Sequence, residues 1–155
     1  MAHITAKNAY KSLEERINKF PQGAPPSKTL YQILSILFTE EEARLVAKLP
    51  IKAFRLKTAA NIWNVSQSEA YKILDNLAKK ALILDLEDNK GKKYILPPPM
   101  AGFFEFSMMR TRQDIDQKLL AELYYQYINE EEDFIKELFY STDTKLGRVY
   151  VQEEV

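Results

Sequence analysis

The chain has 155 residues, of which 46% are apolar, with 22 basic and 22 acidic side chains and no cysteine. That length holds one domain, or a small domain with an appended helical unit, and the apolar share is too high for a disordered chain. The balanced total charge selects no partner, and the missing cysteines exclude disulfides, thiolate metal sites and a cysteine nucleophile.

In chain order, residues 4–20 suit a first helix with Tyr10, Leu13, Ile17 and Phe20 on one face, and Pro21-Gln22-Gly23-Ala24-Pro25-Pro26 breaks it. Ser27 is placed to cap the next helix, whose Leu30, Ile33, Leu34, Leu37 and Phe38 form a wide apolar face. Thr39 caps a third, where Glu40, Glu41 and Glu42 suit the positive end of the helix dipole. Met1 to Tyr10 lacks the apolar core of a signal peptide. The longest strongly apolar run, about Ile33 to Phe38, is far short of the roughly 20 residues of a membrane span. A cytoplasmic protein without a membrane partner is expected.

The stretch from Arg55 to Leu96 carries the most pattern. Ala59, Ile62 and Trp63 give a short helix that ends at Asn64. Ser66 with Glu69 three residues on reads as a reciprocal capping box, and Ala70, Ile73, Leu74 and Leu77 then make one apolar stripe. A strand over Leu82–Glu87, a turn at Asp88-Asn89-Lys90-Gly91 and a return over Lys92–Leu96 complete a hairpin. That order of elements predicts a mainly α fold with a small β-hairpin: a winged helix-turn-helix resembling the MarR type, with extra N- and C-terminal helices. The expected divisions are 1–27, an N-terminal helix and Pro-rich linker; 28–96, the winged helix; and 97–155, a Pro/aromatic segment and helical extension packed on it.

A winged helix that reads DNA lays its second helix in the major groove and its wing near phosphates. Gln67, Ser68, Tyr71, Lys72, Asn76 and Lys79 on the helix, with Lys90 and Lys92 on the wing, are the candidate nucleic-acid or partner contacts. Asp75 lies on the same helix face, that face has no arginine, and Asp85, Glu87 and Asp88 offset the wing lysines. Residues 55–96 hold eight basic and five acidic side chains, a net of +3, whereas residues 97–155 hold six and twelve, a net of −6. A duplex reader needs several phosphate contacts, so this is a modest supply.

Beyond the wing, Pro97-Pro98-Pro99 cannot continue a ladder, and Met100-Ala101-Gly102-Phe103-Phe104-Glu105-Phe106-Ser107-Met108-Met109-Arg110 follows. Phe103, Phe104, Phe106, Met108 and Met109 are expected to plug the core rather than form a binding surface, and Gly102 to mark a close backbone approach. A helix over Asp114–Ile128 would bury Ile115, Leu119, Leu120, Leu123, Tyr124 and Tyr127; Asn129 would cap a last helix, with Phe134, Ile135, Leu138 and Phe139 inward. Tyr124, Tyr125 and Tyr127 exceed one narrow buried stripe and suggest a homodimer. Leu146–Val151 suits a short strand.

The run Leu96–Arg110, with Phe20-Pro21-Gln22-Gly23-Ala24-Pro25 and Leu146-Gly147-Arg148-Val149-Tyr150-Val151-Gln152-Glu153, resembles the N-terminal region of a 4Fe-4S ferredoxin-type protein family of anaerobic bacteria and archaea. The resemblance spans nearly the whole chain. It implies that cysteine-rich cluster-binding segments follow this region, so that a 4Fe-4S cluster would belong to a continuation beyond Val155 and no cofactor to these residues. The function it implies is a non-catalytic winged-helix module that docks or regulates an iron-sulfur domain, its own or a partner's. The alternative is a DNA-binding transcription regulator that uses the 66–80 helix and the 82–96 wing. Catalysis is not expected: His3 is the single histidine, and the four glycines form no phosphate loop.

Overall fold

Short polar side chains cap four of the described helices, at Ser27, Thr39, Ser66 and Asp116. The computed structural model describes residues 2–20 and 23–139. Helix α1 runs Ala2–Ile17, α2 Lys28–Leu37 and α3 Glu40–Val46. The Ser27 side chain accepts from Leu30 N at 3.0 Å. At α3 the box is reciprocal: Thr39 Oγ1 accepts from Glu42 N, and Glu42 Oε2 accepts from Thr39 N. The chain then forms strand β1, Phe54–Arg55, helix α4, Leu56–Trp63, and helix α5, Gln67–Lys79. Strands β2, Leu84–Asp88, and β3, Gly91–Ile95, follow. After them come a π-helical turn at Pro99–Phe103, α6 at Phe104–Met108, α7 at Gln117–Tyr125, a second π turn at Gln126–Glu130, and α8 at Glu132–Phe139.

The fold is mainly helical with one small antiparallel sheet, as the sequence predicts, but the sheet has three strands in the order β1-β3-β2 rather than two. Phe54 pairs with Tyr94 and Arg55 with Lys93. A two-residue strand is too short to show alternation, so the sequence pattern passes over it. The expected strand at Leu82–Glu87 is shifted to Leu84–Asp88, because Leu82 and Ile83 are buried in the loop that leaves α5. Ala81 turns that corner with φ +56, and Leu82 N donates to Leu77 O at 3.0 Å, the closure usual where a glycine ends a helix. At the hairpin, Asp88 Oδ1 accepts from Lys90 N and Gly91 takes φ +96, so the expected turn forms where its residues stand.

Three further expectations are corrected. At α5 only half of the capping box forms: Ser66 accepts from Glu69 N at 3.2 Å, with no return bond from the Glu69 carboxylate. The 114–128 helix starts at Gln117 under an Asp116 cap, and Asn129 lies inside the second π turn with its amide bonded to Tyr125 O, so it caps nothing. Leu119 and Phe139, expected inward, are 44% and 49% exposed. The expected strand at Leu146–Val151 lies outside the described residues.

One core joins all three segments of the chain, from Leu13 and Ile17 through Leu30, Leu34, Val46, Leu74 and Leu82 to Phe103, Leu120 and Phe134. Phe103 and Phe104 plug it, as expected. Phe104 lies 4.9 Å from the ring centres of both Phe103 and Tyr124, and Phe103 meets Phe38 edge-on at 6.2 Å. Phe106 and Met108 are half-buried, whereas Met109 is 75% exposed and no part of the plug. A Cβ on Gly102 would stand 3.2 Å from Pro97 Cβ, so the close approach read from the sequence is there. Tyr124 and Tyr127 are core residues, bonded to Ser107 Oγ and Pro25 O, which leaves Tyr125 alone as the exposed member of the triplet on which the homodimer expectation rested.

Candidate functional site

Helix α5 buries Ala70, Leu74 and Leu77 and turns its other side outward, where the candidate contacts sit beside the β2–β3 hairpin. Two ties fix this arrangement. Trp63 Nε1 donates to Leu45 O at 2.9 Å, which holds the end of α4 on α3. Glu42 reaches α5 with its free oxygen: Oε1 accepts from Asn76 Nδ2 at 2.9 Å and from Lys80 Nζ at 2.7 Å. The carboxylate that caps α3 is therefore also the post to which the C-terminal half of α5 is tied.

The hairpin is held by an arginine that sequence reasoning left out of the site. Arg55 Nη2 donates to both oxygens of Asp88 at 2.8 and 2.9 Å, and Nη1 to the carbonyls of Lys90 and Gly91 at 3.1 and 3.0 Å. A planar fork fits a carboxylate and a turn at once, which an ammonium could not do. The Arg55 guanidinium holds the Asp88 carboxyl below its ordinary range. Strong α4 and hairpin patterns on either side gave the position no visible partner in the sequence.

The sequence-predicted residues divide into two groups. Gln67, Ser68, Tyr71 and Lys72 are exposed on the first turns of α5, and Lys90 is exposed at the tip of the hairpin. Among the described residues, Lys72 and Lys90 carry no ion pair. Asn76, Lys79 and Lys92 are engaged: Asn76 with Glu42, Lys79 with Asp75 at 2.7 Å, and Lys92 with Asp85 at 2.8 Å. The hydrogen bond from Lys92 pulls the Asp85 carboxyl down, and the same bond pushes the Lys92 ammonium up. Lys93 lies 3.6 Å from Asp88.

On its α3 side, α5 borders a groove of about 360 Å³, lined by Leu45 and Ile73 with Glu41, Glu69 and Lys72. On the hairpin side stand Tyr71, 45% exposed, and the buried Tyr94 stacked on Phe54. The face is thus polar around one exposed aromatic, Tyr71, with its cations largely answered by carboxylates of the same surface.

No family model matches this chain, and neither does a curated protein or a solved structure. The face and the fold therefore carry the functional argument alone. Iron-sulfur clusters are held by cysteine thiolates, of which this chain has none, so the residues present do not fit a 4Fe-4S cluster. Among the described residues no three His, Asp or Glu side chains gather as a metal site. None of the described helices is long and apolar enough to cross a membrane.

Proposed function

We propose that this chain is a non-catalytic winged-helix module that uses α5 and the β2–β3 hairpin to dock onto a protein, and that in the 4Fe-4S ferredoxin-type reading the partner is a cysteine-rich cluster domain. The order α4, α5, β2, β3, with β1 pairing back on β3, is the order a winged helix requires. The observation that carries docking over DNA reading is the charge state of the face. Lys79, Lys80, Lys92, Lys93 and Arg55 each have a carboxylate of the same chain within 4 Å. A DNA reader presents its cations to phosphates, and affinity rests on the counter-ions they release. Here that supply is neutralised internally, while Tyr71 stands 45% exposed, as an aromatic anchor of a protein interface does.

The DNA-regulator reading keeps one observation in its favour. Lys57, Lys72 and Lys90 are exposed and unpaired among the described residues, at the start of α4, on α5 and at the hairpin tip. An NMR titration of the isotope-labelled chain separates the two. With a reconstituted 4Fe-4S ferredoxin-type polypeptide, docking predicts shifts confined to α5 and residues 84–95, and none with random duplex at physiological salt. Shifts in α5 with duplex alone would overturn it.

A further inference from the structure

Asp75 and Asp85 each sit within 3 Å of a lysine that a phosphate would seek. Asp75 lies one turn before Lys79 on α5, with Oδ2 2.7 Å from the ammonium. Asp85 stands on β2 with its Oδ2 2.8 Å from Lys92 on β3. The two pairs share one neighbourhood. Burial raises the Tyr94 phenol, Lys92 opposes the rise, and Tyr71, Asp85 and Asp75 reinforce it, so both carboxylates act on one point between α5 and the hairpin. The charge of Arg110 also helps to lower the Asp85 carboxyl.

Neither pair is a structural necessity. In the first the lysine side chain is 75% exposed and the aspartate 33%; in the second the values are 41% and 42%. Exposed pairs of this kind contribute little to stability and open readily. The Arg55–Asp88 clamp and the Glu42–Lys80 tie join elements far apart in the chain, whereas Asp75 pairs within α5 and Asp85 only across a hairpin that its backbone ladder already holds. What they do continuously is place negative charge beside Lys79 and Lys92, well within a Debye length of any approaching phosphate.

We infer that Asp75 and Asp85 are specificity-determining residues of the α5–hairpin face: they exclude polyanions from a surface that the winged-helix geometry would otherwise offer to a nucleic-acid duplex. This rests on the docking reading, and explains how a module with the outline of a DNA reader avoids DNA. Discrimination between partner classes is a difference of affinities, and a misplaced like charge is its cheapest instrument. Changing both residues to asparagine raises residues 55–96 from +3 to +5. It frees Lys79 and Lys92 to join Lys57, Lys72 and Lys90.

The test is fluorescence anisotropy with a labelled random-sequence duplex on the full chain, with circular dichroism to confirm folding. The intact chain should show no binding at physiological salt. The Asp75→Asn, Asp85→Asn variant should bind in low salt, and with four phosphate contacts its affinity should fall roughly 150-fold between about 50 and 200 mM salt. Adding Lys79→Gln and Lys92→Gln to that variant should abolish the gain. Should the asparagine pair disturb folding, Asp75→Ser with Asp85→Thr removes the same charges with a strand-compatible residue on β2. A folded variant that gains no binding, or whose gain survives the two lysine changes, overturns the inference and leaves the docking reading standing. Binding by the intact chain at physiological salt overturns the docking reading itself.

Discussion

Replacing Phe104 with alanine should unsettle the whole molecule, not only its C-terminal part. The ring is 2% exposed and lies 4.9 Å from Phe103 and from Tyr124, 6.1 Å from Tyr127 and 6.2 Å from Phe134. Through Phe103 it reaches Phe38 at the end of α2, so one side chain bridges the helices before the hairpin and those after it. Truncation removes a fully buried aromatic from a close-packed site, which costs about 4 kcal/mol. For a body of this size that lowers the melting temperature by roughly 8–16 °C. Urea unfolding followed by the single tryptophan, Trp63, reads the effect on the far side of the core. A single cooperative transition should shift as a whole. Met109→Ala, at a residue 75% exposed in the same segment, should change stability by less than about 0.5 kcal/mol. A loss at Phe104 below about 1 kcal/mol, or a Trp63 transition left in place while the C-terminal helices melt, would refute the single-core account.

Two further perturbations probe local structure. Ala81 occupies the left-handed region at φ +56, where a Cβ is costly, so Ala81→Gly should stabilise the chain by roughly 0.5–1 kcal/mol in the same urea titration, and a destabilised variant would contradict the strain. Because Arg55 depresses the Asp88 carboxyl, the clamp contributes stability above an unfolded aspartate's value of about 3.9, and that contribution is lost as pH falls through the lower folded value. A carboxyl-resolved NMR titration should place Asp88 below ordinary aspartates and return it toward them in Arg55→Ala; an unshifted Asp88 in the intact chain would exclude the clamp.

Much of the fold is legible in the sequence because local signals and packing agree. Ser27, Thr39 and Ser66 start helices where they stand, and the stripe Ala70, Leu74, Leu77 is the buried face of α5. What the sequence hides is set by contacts far along the chain. The strand at Phe54–Arg55 exists because β3 pairs with it, and Glu69 lacks the return bond that its spacing promises. The site is legible as a list of exposed residues with offsetting charges, but not as specific pairs. The sequence shows carboxylates that offset Lys79 and Lys92 but not which one each lysine meets, and the Glu42 partner of Asn76 is supplied only by the folded chain. Glu42, read as a dipole-compensating acid, proves to tie α3 to α5 across 34 residues.

On the docking proposal the α5–hairpin face meets a protein and not a duplex. A photo-reactive benzophenone amino acid in place of Tyr71, which is 45% exposed at the centre of that face, tests it most directly. The substituted chain is irradiated at physiological salt with a reconstituted 4Fe-4S ferredoxin-type polypeptide and a random duplex present together. Docking through this face gives a cross-link to the polypeptide, absent when the same group replaces the exposed Leu119 on α7, and none to the duplex. Cross-linking to the duplex from position 71, with none to the polypeptide, would contradict it.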